Sequence, residues 1–267
     1  MSMRTLFVGD TVGKAGLKLL AEQLDRLVDR HRIDFCIANM ENAADGMGIT
    51  PEIAEEFLDL GIQVITSGNH IWDKREIKDY IAREPRLLRP LNYPSDSPGS
   101  GTYVGETASG IRVGVVNVMG RVFMPPVDDP FRAARSAVEA LRPITPVIIV
   151  DMHAEATSEK MAMGWHLDGV ASAVIGTHTH IQTADERILP GGTAYITDVG
   201  MTGPYDSVIG MEKEGALTRF LSQMPARLGS ARGDPRICAV LIDIEPSTGK
   251  ATTIQRLMLE RADGSHA

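Results

Sequence analysis

The sequence predicts an α/β protein built on a well-covered sheet. Short apolar runs read as continuous hydrophobic stretches, where a strand with one wet face would alternate. A stretch of helical period follows the first of them, and the runs stop at Gly, Asp, Asn or His. Continuous apolar strands are characteristic of sheets buried on both faces, as parallel sheets are.

Thr5–Val8 is the first run and stops at Gly9-Asp10, followed by a helical pattern from about Lys14 to Arg30 with Leu17, Leu20, Leu24 and Leu27 on one face. Phe35–Ala38 repeats the theme and stops at Glu41-Asn42. Thr50-Pro51-Glu52 then starts a helix, with Thr as the cap and Pro at the first helical position. A third run, Val64-Ile65, stops at Asn69-His70. Residues 84–101 are rich in Pro, Ser and Gly and read as a long surface connection. Thr102–Thr107 and Ile111–Val118, split by Ala108-Ser109-Gly110, form a predicted hairpin. A helix is expected from about Pro130 to Leu141. Val147–Val150 is a strand stopping at Asp151-Met152-His153, and Ala173–Ile175 stops at Gly176–His180. Ala194–Thr197, Cys238–Ile244 and Thr252–Leu257 are further strands, with a helix near Glu212–Gln223.

At 267 residues, a length of roughly 150 per domain permits one or two domains. No Ser/Pro-rich linker separates two halves, so one domain over residues 1–267 is expected, with a loose tail after Arg261. The net charge of -8 and the absence of any basic block argue against binding duplex nucleic acid, which requires clustered Lys and Arg. No apolar run approaches the ~20 residues that span a bilayer, and the N-terminus shows no signal-peptide core. A cytoplasmic protein without a membrane partner is expected. Cys36 and Cys238, both in apolar strand-like runs, read as buried free thiols.

Chemistry-bearing residues gather at the strand ends. Five apolar runs each stop at a group able to ligate metal: Asp10, Glu41 with Asn42, Asn69 with His70, His153, and His178 with His180. Taken singly, Gly68-Asn69 is ordinary turn chemistry and a lone His is ordinarily structural. Together, groups beyond the carboxyl ends of α/β strands converge on one crevice. The set contains carboxylates, carboxamides and imidazoles but no thiolate, which suits manganese, iron or zinc and not a dedicated calcium site. There are more donors than one ion uses, so two ions sharing a carboxylate are expected. In His178-Thr179-His180, alternate residues of an extended segment would each reach a different ion. His31, His166 and His266 are read as a helix-end, packing and tail residue. Arg121 reads equally as a phosphate anchor or as a surface ion pair.

The blocks GDTVGKAG, NMENAADGMGIT, TSGNHIWD, LNYP, NVMGRVFM, DMHAEATSEK, GTHTHIQTAD and DVGMTGPYDSVIG cover nearly the whole chain. Through them the sequence resembles the bacterial YmdB family of calcineurin-like dinuclear metallophosphoesterases. It departs from the wider superfamily where Thr11-Val12 follows Asp10, a place for a D-x-H histidine, and where Glu41 beside Asn42 replaces a bridging Asp. The resemblance implies a four-layer αββα sandwich with mixed sheets. It implies one ion held by Asp10, Glu41, Asn42 and His180 and a second by Glu41, Asn69, His153 and His178, with Glu41 shared. Iron is the first choice for the pair, with manganese, zinc or magnesium as alternatives. His70 would be the catalytic histidine outside the ligand set, and a hydroxide shared by the ions would attack phosphorus; Arg121 is the candidate substrate contact from its residue chemistry alone. The activity implied is hydrolysis of phosphodiesters, 2′,3′-cyclic nucleotides to 3′-nucleotides, by a homo-oligomer acting on small phosphoesters, nucleotides or RNA ends. A phosphomonoesterase or protein phosphatase would share every ligand. A nucleotide-sensing regulatory protein with incidental hydrolysis is the third reading.

Overall fold

The computed structural model describes residues 2–260; the loose tail expected after Arg261, with His266, lies outside them. In chain order the elements are β1 (Met3–Val8), β2 (Asp10–Thr11), α1 (Gly13–His31), β3 (Phe35–Asn39), α2 (Pro51–Asp59), β4 (Val64–Thr66) and α3 (Ile77–Ile81). Next come β5 (Thr102–Glu106), β6 (Arg112–Met119), α4 (Pro130–Leu141), β7 (Ile148–His153), α5 (Thr157–His166) and β8 (Ala173–Thr177). The last are β9 (Arg187–Ile188), β10 (Ala194–Ile196), β11 (Met201–Pro204), α6 (Lys213–Ser222), β12 (Pro235–Ile244) and β13 (Ala251–Glu260).

The strands form two mixed sheets. One has the order β2-β11-β12-β1-β3-β4, with β13 also paired to β12; the other runs β5-β6-β7-β8-β10-β9. In the first, β1, β3 and β4 are parallel and β12 runs against β1. In the second, β6, β7, β8 and β10 are parallel and the β5–β6 hairpin opens it.

Side-chain alternation explains why the runs read as continuous. Leu6, Val8, Cys36 and Ala38 point toward α1 and α2, meeting Leu20, Leu24, Phe57 and Leu58. The intervening Phe7, Phe35, Ile37 and Val64 point the other way and pack on Val113, Val115, Ile149 and Ile175 of the second sheet. That sheet's opposite face, with Val116, Val118, Val150, Met152 and Val174, packs on Ala134 and Val138 of α4 and Met163 of α5. The central strands of both sheets are thus apolar on both faces. Leu20 and Leu24, buried on α1, are worth roughly 1.5–3 kcal/mol each relative to exposure.

The helix ends follow local chemistry. Thr50 Oγ1 accepts from Ile53 N at 3.4 Å, and Asp129 accepts from Phe131 N and Arg132 N at 2.9 and 3.2 Å, with Pro in the first turn of both α2 and α4. α1 closes on a left-handed Arg32 whose N–H bonds to Asp29 O.

Two expectations need correction. The 84–101 segment is not simply a surface connection. Leu87, Leu88, Arg89 and Asn92 are buried, and the Arg89 guanidinium donates to the carbonyls of Pro90, Leu91, Ser97 and Pro98, which folds the segment around it. The strand expected at 147–150 continues to His153, because Asp151 and His153 find buried polar partners that keep the ladder intact. Helices α3 and α5 had no sequence expectation; α5 carries a buried Glu159 and Lys160 where an apolar stripe would be sought. Among the described residues no helix is long and apolar enough to cross a membrane. Cys36 and Cys238 are free and buried, as expected.

Candidate metal centre

The carboxyl ends of β1, β3 and β4 in one sheet meet those of β7 and β8 in the other, so the site straddles two facing sheets and is not the crevice of one open sheet. Asp10 sits in β2, held beside Met201 of β11. Its Oδ2 accepts from His178 N at 3.2 Å, whereas Oδ1 is buried without a hydrogen-bond partner. Glu41 and Asn42 occupy the turn after β3, where Glu41 N donates to Asn39 Oδ1 at 3.2 Å. The Asn42 amide nitrogen donates to Gly46 O at 3.0 Å, which turns its oxygen toward His180 Nε2, 3.3 Å away.

Asn69 Oδ1 lies 3.1 Å from His153 Nε2. Gly68 is required here because a Cβ would overlap the His153 ring. The corner after β4 is therefore a glycine for clearance, a carboxamide facing the neighbouring sheet, and His70.

Each of the three converging imidazoles has one nitrogen engaged by the protein and one aimed inward. Thr177 Oγ1 donates to Asp151 Oδ1 at 2.7 Å, so it accepts from His153 Nδ1 at 2.9 Å and leaves Nε2 inward. His180 Nδ1 donates to Ile209 O at 2.8 Å, leaving Nε2 toward Asn42 and, at 4.0 Å, Asp10 Oδ1. His178 Nε2 pairs with Glu155 at 3.1 Å, leaving Nδ1 3.1 Å from His153 Nε2. Around His153 Nε2 stand Glu41 Oε1 at 2.9 Å, Asn69 Oδ1 and His178 Nδ1. One proton on that nitrogen cannot satisfy three acceptors. Lone pairs facing one another, with Asp10 Oδ1 unpartnered, form a donor set that fits cations. Glu41, His153 and His178 together have the spacing of a metal cluster.

The electrostatics without an ion point the same way. Burial opposes charge on His153, but the Glu41 carboxylate, then Asp10 and Asp151, raise it to about 9. Burial also works against ionised Glu41, yet His153 and then His70 hold it down at about 2. Burial, then the charge of His153, pushes His178 down to about 3. Burial lifts Asp10 to about 6 against the pull of His180 and His153. Positive charge is drawn to the Glu41 side of the cluster.

The structure brings together Asp10, Glu41, Asn42, Asn69, His153, His178 and His180 from the expected set. His70 stands beside them: its N–H donates to Glu41 Oε2 at 2.9 Å and its Nδ1 meets Asp73 Oδ2 at 2.7 Å. Arg121 lies on the loop after β6, half exposed, with Nη2 3.6 Å from Asp129. His166 packs on Phe131 of α4, as expected of a packing residue. The His178-Thr179-His180 segment is not extended: both histidines have left-handed backbone, φ 96° and 64°. Thr179 N and Oγ1 donate to Asp198 Oδ2 at 3.0 and 2.6 Å, and Lys160 Nζ donates to the same oxygen at 2.7 Å, which holds the kink. The two rings still reach different groups, His153 and Asn42.

Sequence reasoning missed Asp73, Asp151, Thr177, Asp198 and Lys160. A carboxylate inside an apolar strand, Asp151, was the available signal; the others are visible only through their contacts. A groove of about 410 Å³ lined by Lys14, Lys18 and Arg232 runs along α1 and contains none of these donors. Donor chemistry, not cavity size, marks the site.

The chain is 50% identical over 258 residues to the 2′,3′-cyclic-nucleotide 2′-phosphodiesterase of Bacillus subtilis (strain 168), covering 96% of this chain and 97% of that one. It superposes on a crystal structure of a protein from Thermus thermophilus with a TM-score of 0.90 at 43% identity, covering 97% of this chain and 99% of that one. A phosphatase from Mycoplasma pneumoniae superposes with a TM-score of 0.92 at 31% identity, covering 99% and 95%. A model of the YmdB-like protein family matches residues 6–257, and the chain belongs to that family.

Proposed function

We propose that the chain is a metal-dependent phosphodiesterase that opens 2′,3′-cyclic nucleotides to 3′-nucleotides, on the αββα architecture of the calcineurin-like phosphoesterases. The observation that carries the proposal is the buried convergence of imidazole, carboxamide and carboxylate lone pairs, with Asp10 Oδ1 left without a partner. The 50% identity to a 2′,3′-cyclic-nucleotide phosphodiesterase supports the choice of substrate. In this reading Asp10, Glu41, Asn42 and His180 hold one ion and Glu41, Asn69, His153 and His178 the other. The imidazole and oxygen donors suit iron, manganese or zinc.

Two such ions, when bound, supply Lewis acidity toward phosphate oxygens and lower the pKa of a water. The chain's own groups do the rest. Asn42 and Asn69 offer neutral oxygens, so the site carries two carboxylates only and stays receptive to an anion. Asp73 accepts from His70 Nδ1 and so orients the ring. As the imidazolium, with its Nδ1 hydrogen on Asp73, His70 would give its Nε2 proton to the departing 2′ oxygen and be left neutral, the role of a general acid. Arg121, whose contact with Asp129 is long and solvent-facing, turns its guanidinium to the phosphate.

Incubation of 2′,3′-cyclic AMP with protein loaded anaerobically with iron or manganese tests this. Wild type should yield 3′-AMP, and His70→Ala should retain both metals while losing ~10²–10⁴ of the rate. Full activity in a metal-replete His70→Ala protein refutes the acid role. No conversion by metal-replete wild type refutes the phosphodiesterase reading; phosphomonoester turnover would then indicate a phosphatase, and tight nucleotide binding without turnover a sensor.

A further inference from the structure

Eight described residues other than glycine have left-handed φ: Arg32, Asp45, Phe123, His178, His180, Ile209, Gln223 and Asp234. Seven end a helix, are short and polar, or serve the histidine pair. Arg32 and Gln223 terminate α1 and α6. Asp45 and Asp234 are short polar residues that tolerate this region in turns. Asp198 holds the two histidines through Thr179, and Ile209 gives its carbonyl to His180 Nδ1.

Phe123, at φ 60°, is a bulky aromatic at the third position of the turn that Met124 N closes on Arg121 O at 3.4 Å, a place that favours Gly or Asn. Its side chain is 90% exposed, so the unfavourable backbone is not offset by burial of the ring. Strain of this kind gathers where a chain presents a group to a ligand.

The loop carrying Phe123 is held firmly at its base. Buried Glu159 of α5 accepts from Arg121 N at 3.0 and 3.1 Å and from Val122 N at 3.2 Å. Asn92 donates to Met119 O at 2.7 Å and to Asp128 O at 2.9 Å, bracketing the loop at both ends. Gly120 N donates to His153 O at 2.9 Å, so the loop begins one hydrogen bond from the metal centre. Three residues on, the Phe123 Cα lies within about 11 Å of that of Gly120.

We infer that Phe123 is the platform on which the base of the nucleotide stacks, with Glu159 positioning the loop; this rests on the phosphodiesterase reading. Every base has a π-face, so an aromatic platform accepts them all and favours the larger purines.

The test compares wild type, Phe123→Ala, Phe123→Trp and Phe123→Gly, all metal-loaded, on 2′,3′-cyclic AMP and on base-free methyl riboside 2,3-cyclic phosphate. Phe123→Ala should raise KM for the nucleotide about tenfold and leave the base-free substrate unchanged. Phe123→Trp should restore the nucleotide KM. Phe123→Gly, which suits the left-handed backbone, should melt no lower than wild type while losing the same discrimination. Equal losses on both substrates, or none on either, overturn the proposal. Calorimetric titration with 3′-AMP gives a second readout: Phe123→Ala should weaken binding about tenfold, and unchanged binding overturns the platform. If wild type hydrolyses neither substrate the phosphodiesterase reading fails, and the 3′-AMP titration still decides the platform by itself.

Discussion

Thr177 donates its one hydroxyl hydrogen to Asp151, and its lone pair therefore faces the His153 Nδ1 hydrogen. That chain of two bonds selects which tautomer of His153 is present. Replacing Thr177 with Val keeps the shape and deletes the chain. Thr177→Val should fold, yet bind metal roughly 10–100-fold more weakly, because partners that orient a ligating histidine are typically worth that much. Competition against a chelator, read by metal content, checks it; unchanged affinity would mean that packing alone orients the ring. His153 and Thr177 were both present in the quoted motifs, but only the histidine was legible as a ligand. A threonine has too many structural uses for its type to identify one of them.

Helix α5 acts on the site through two adjacent residues. Glu159 binds the loop that carries Arg121 and Phe123, and Lys160 meets Asp198, both side chains fully buried, at the point where Asp198 holds Thr179. Removing one member of a buried pair leaves the other charge uncompensated, at a cost of about 3–5 kcal/mol. Lys160→Met should lose stability of that order in denaturant titration, and adding Asp198→Asn should recover part of it. A loss below about 1 kcal/mol for the single variant would show that Thr179 and Gly200 satisfy Asp198 unaided. The helix itself escaped sequence reading because its first turn turns polar groups inward. Helices α1, α2 and α4 were legible, since apolar spacing and the Thr50-Pro51 and Asp129-Pro130 starts depend only on neighbours in the chain.

Both thiols are buried, Cys36 in the core beneath α1 and α2 and Cys238 against the Tyr205 hydroxyl. Burial pushes Cys36 up to about 12, and burial, opposed by the Tyr205 hydroxyl, pushes Cys238 up to about 11. At pH 8 the folded protein should resist iodoacetamide, while unfolded chains take a label on both cysteines by mass. Rapid labelling in native buffer would instead reveal local opening of β3 or β12. The raised values also carry a sign for stability. The unfolded chain releases its thiol protons near the ordinary value of 9.0 while the folded chain retains them, so these groups cost stability as pH rises above about 9. A Cys36→Ala, Cys238→Ala double variant should show a shallower loss between about pH 9 and about pH 10.5.

The α/β class, the order of the main strands and helices, and the donor types at the strand ends were all readable from the residues. They rest on local periodicity, caps and residue chemistry, which a chain carries wherever it folds. Packing, by contrast, was needed to place the donors across two facing sheets. It also made His178 and His180 diverge from a left-handed kink and not from an extended strand, and set Asp151 and Asp198 behind the histidines. Those facts depend on which distant segments are brought into contact: Asp151 meets Thr66 and Thr177, and Asp198 meets Lys160, only after both sheets and α5 have packed. Hydrogen bonds between residues far apart in the chain have no period in sequence, so they become readable only when the packed cores fix their geometry.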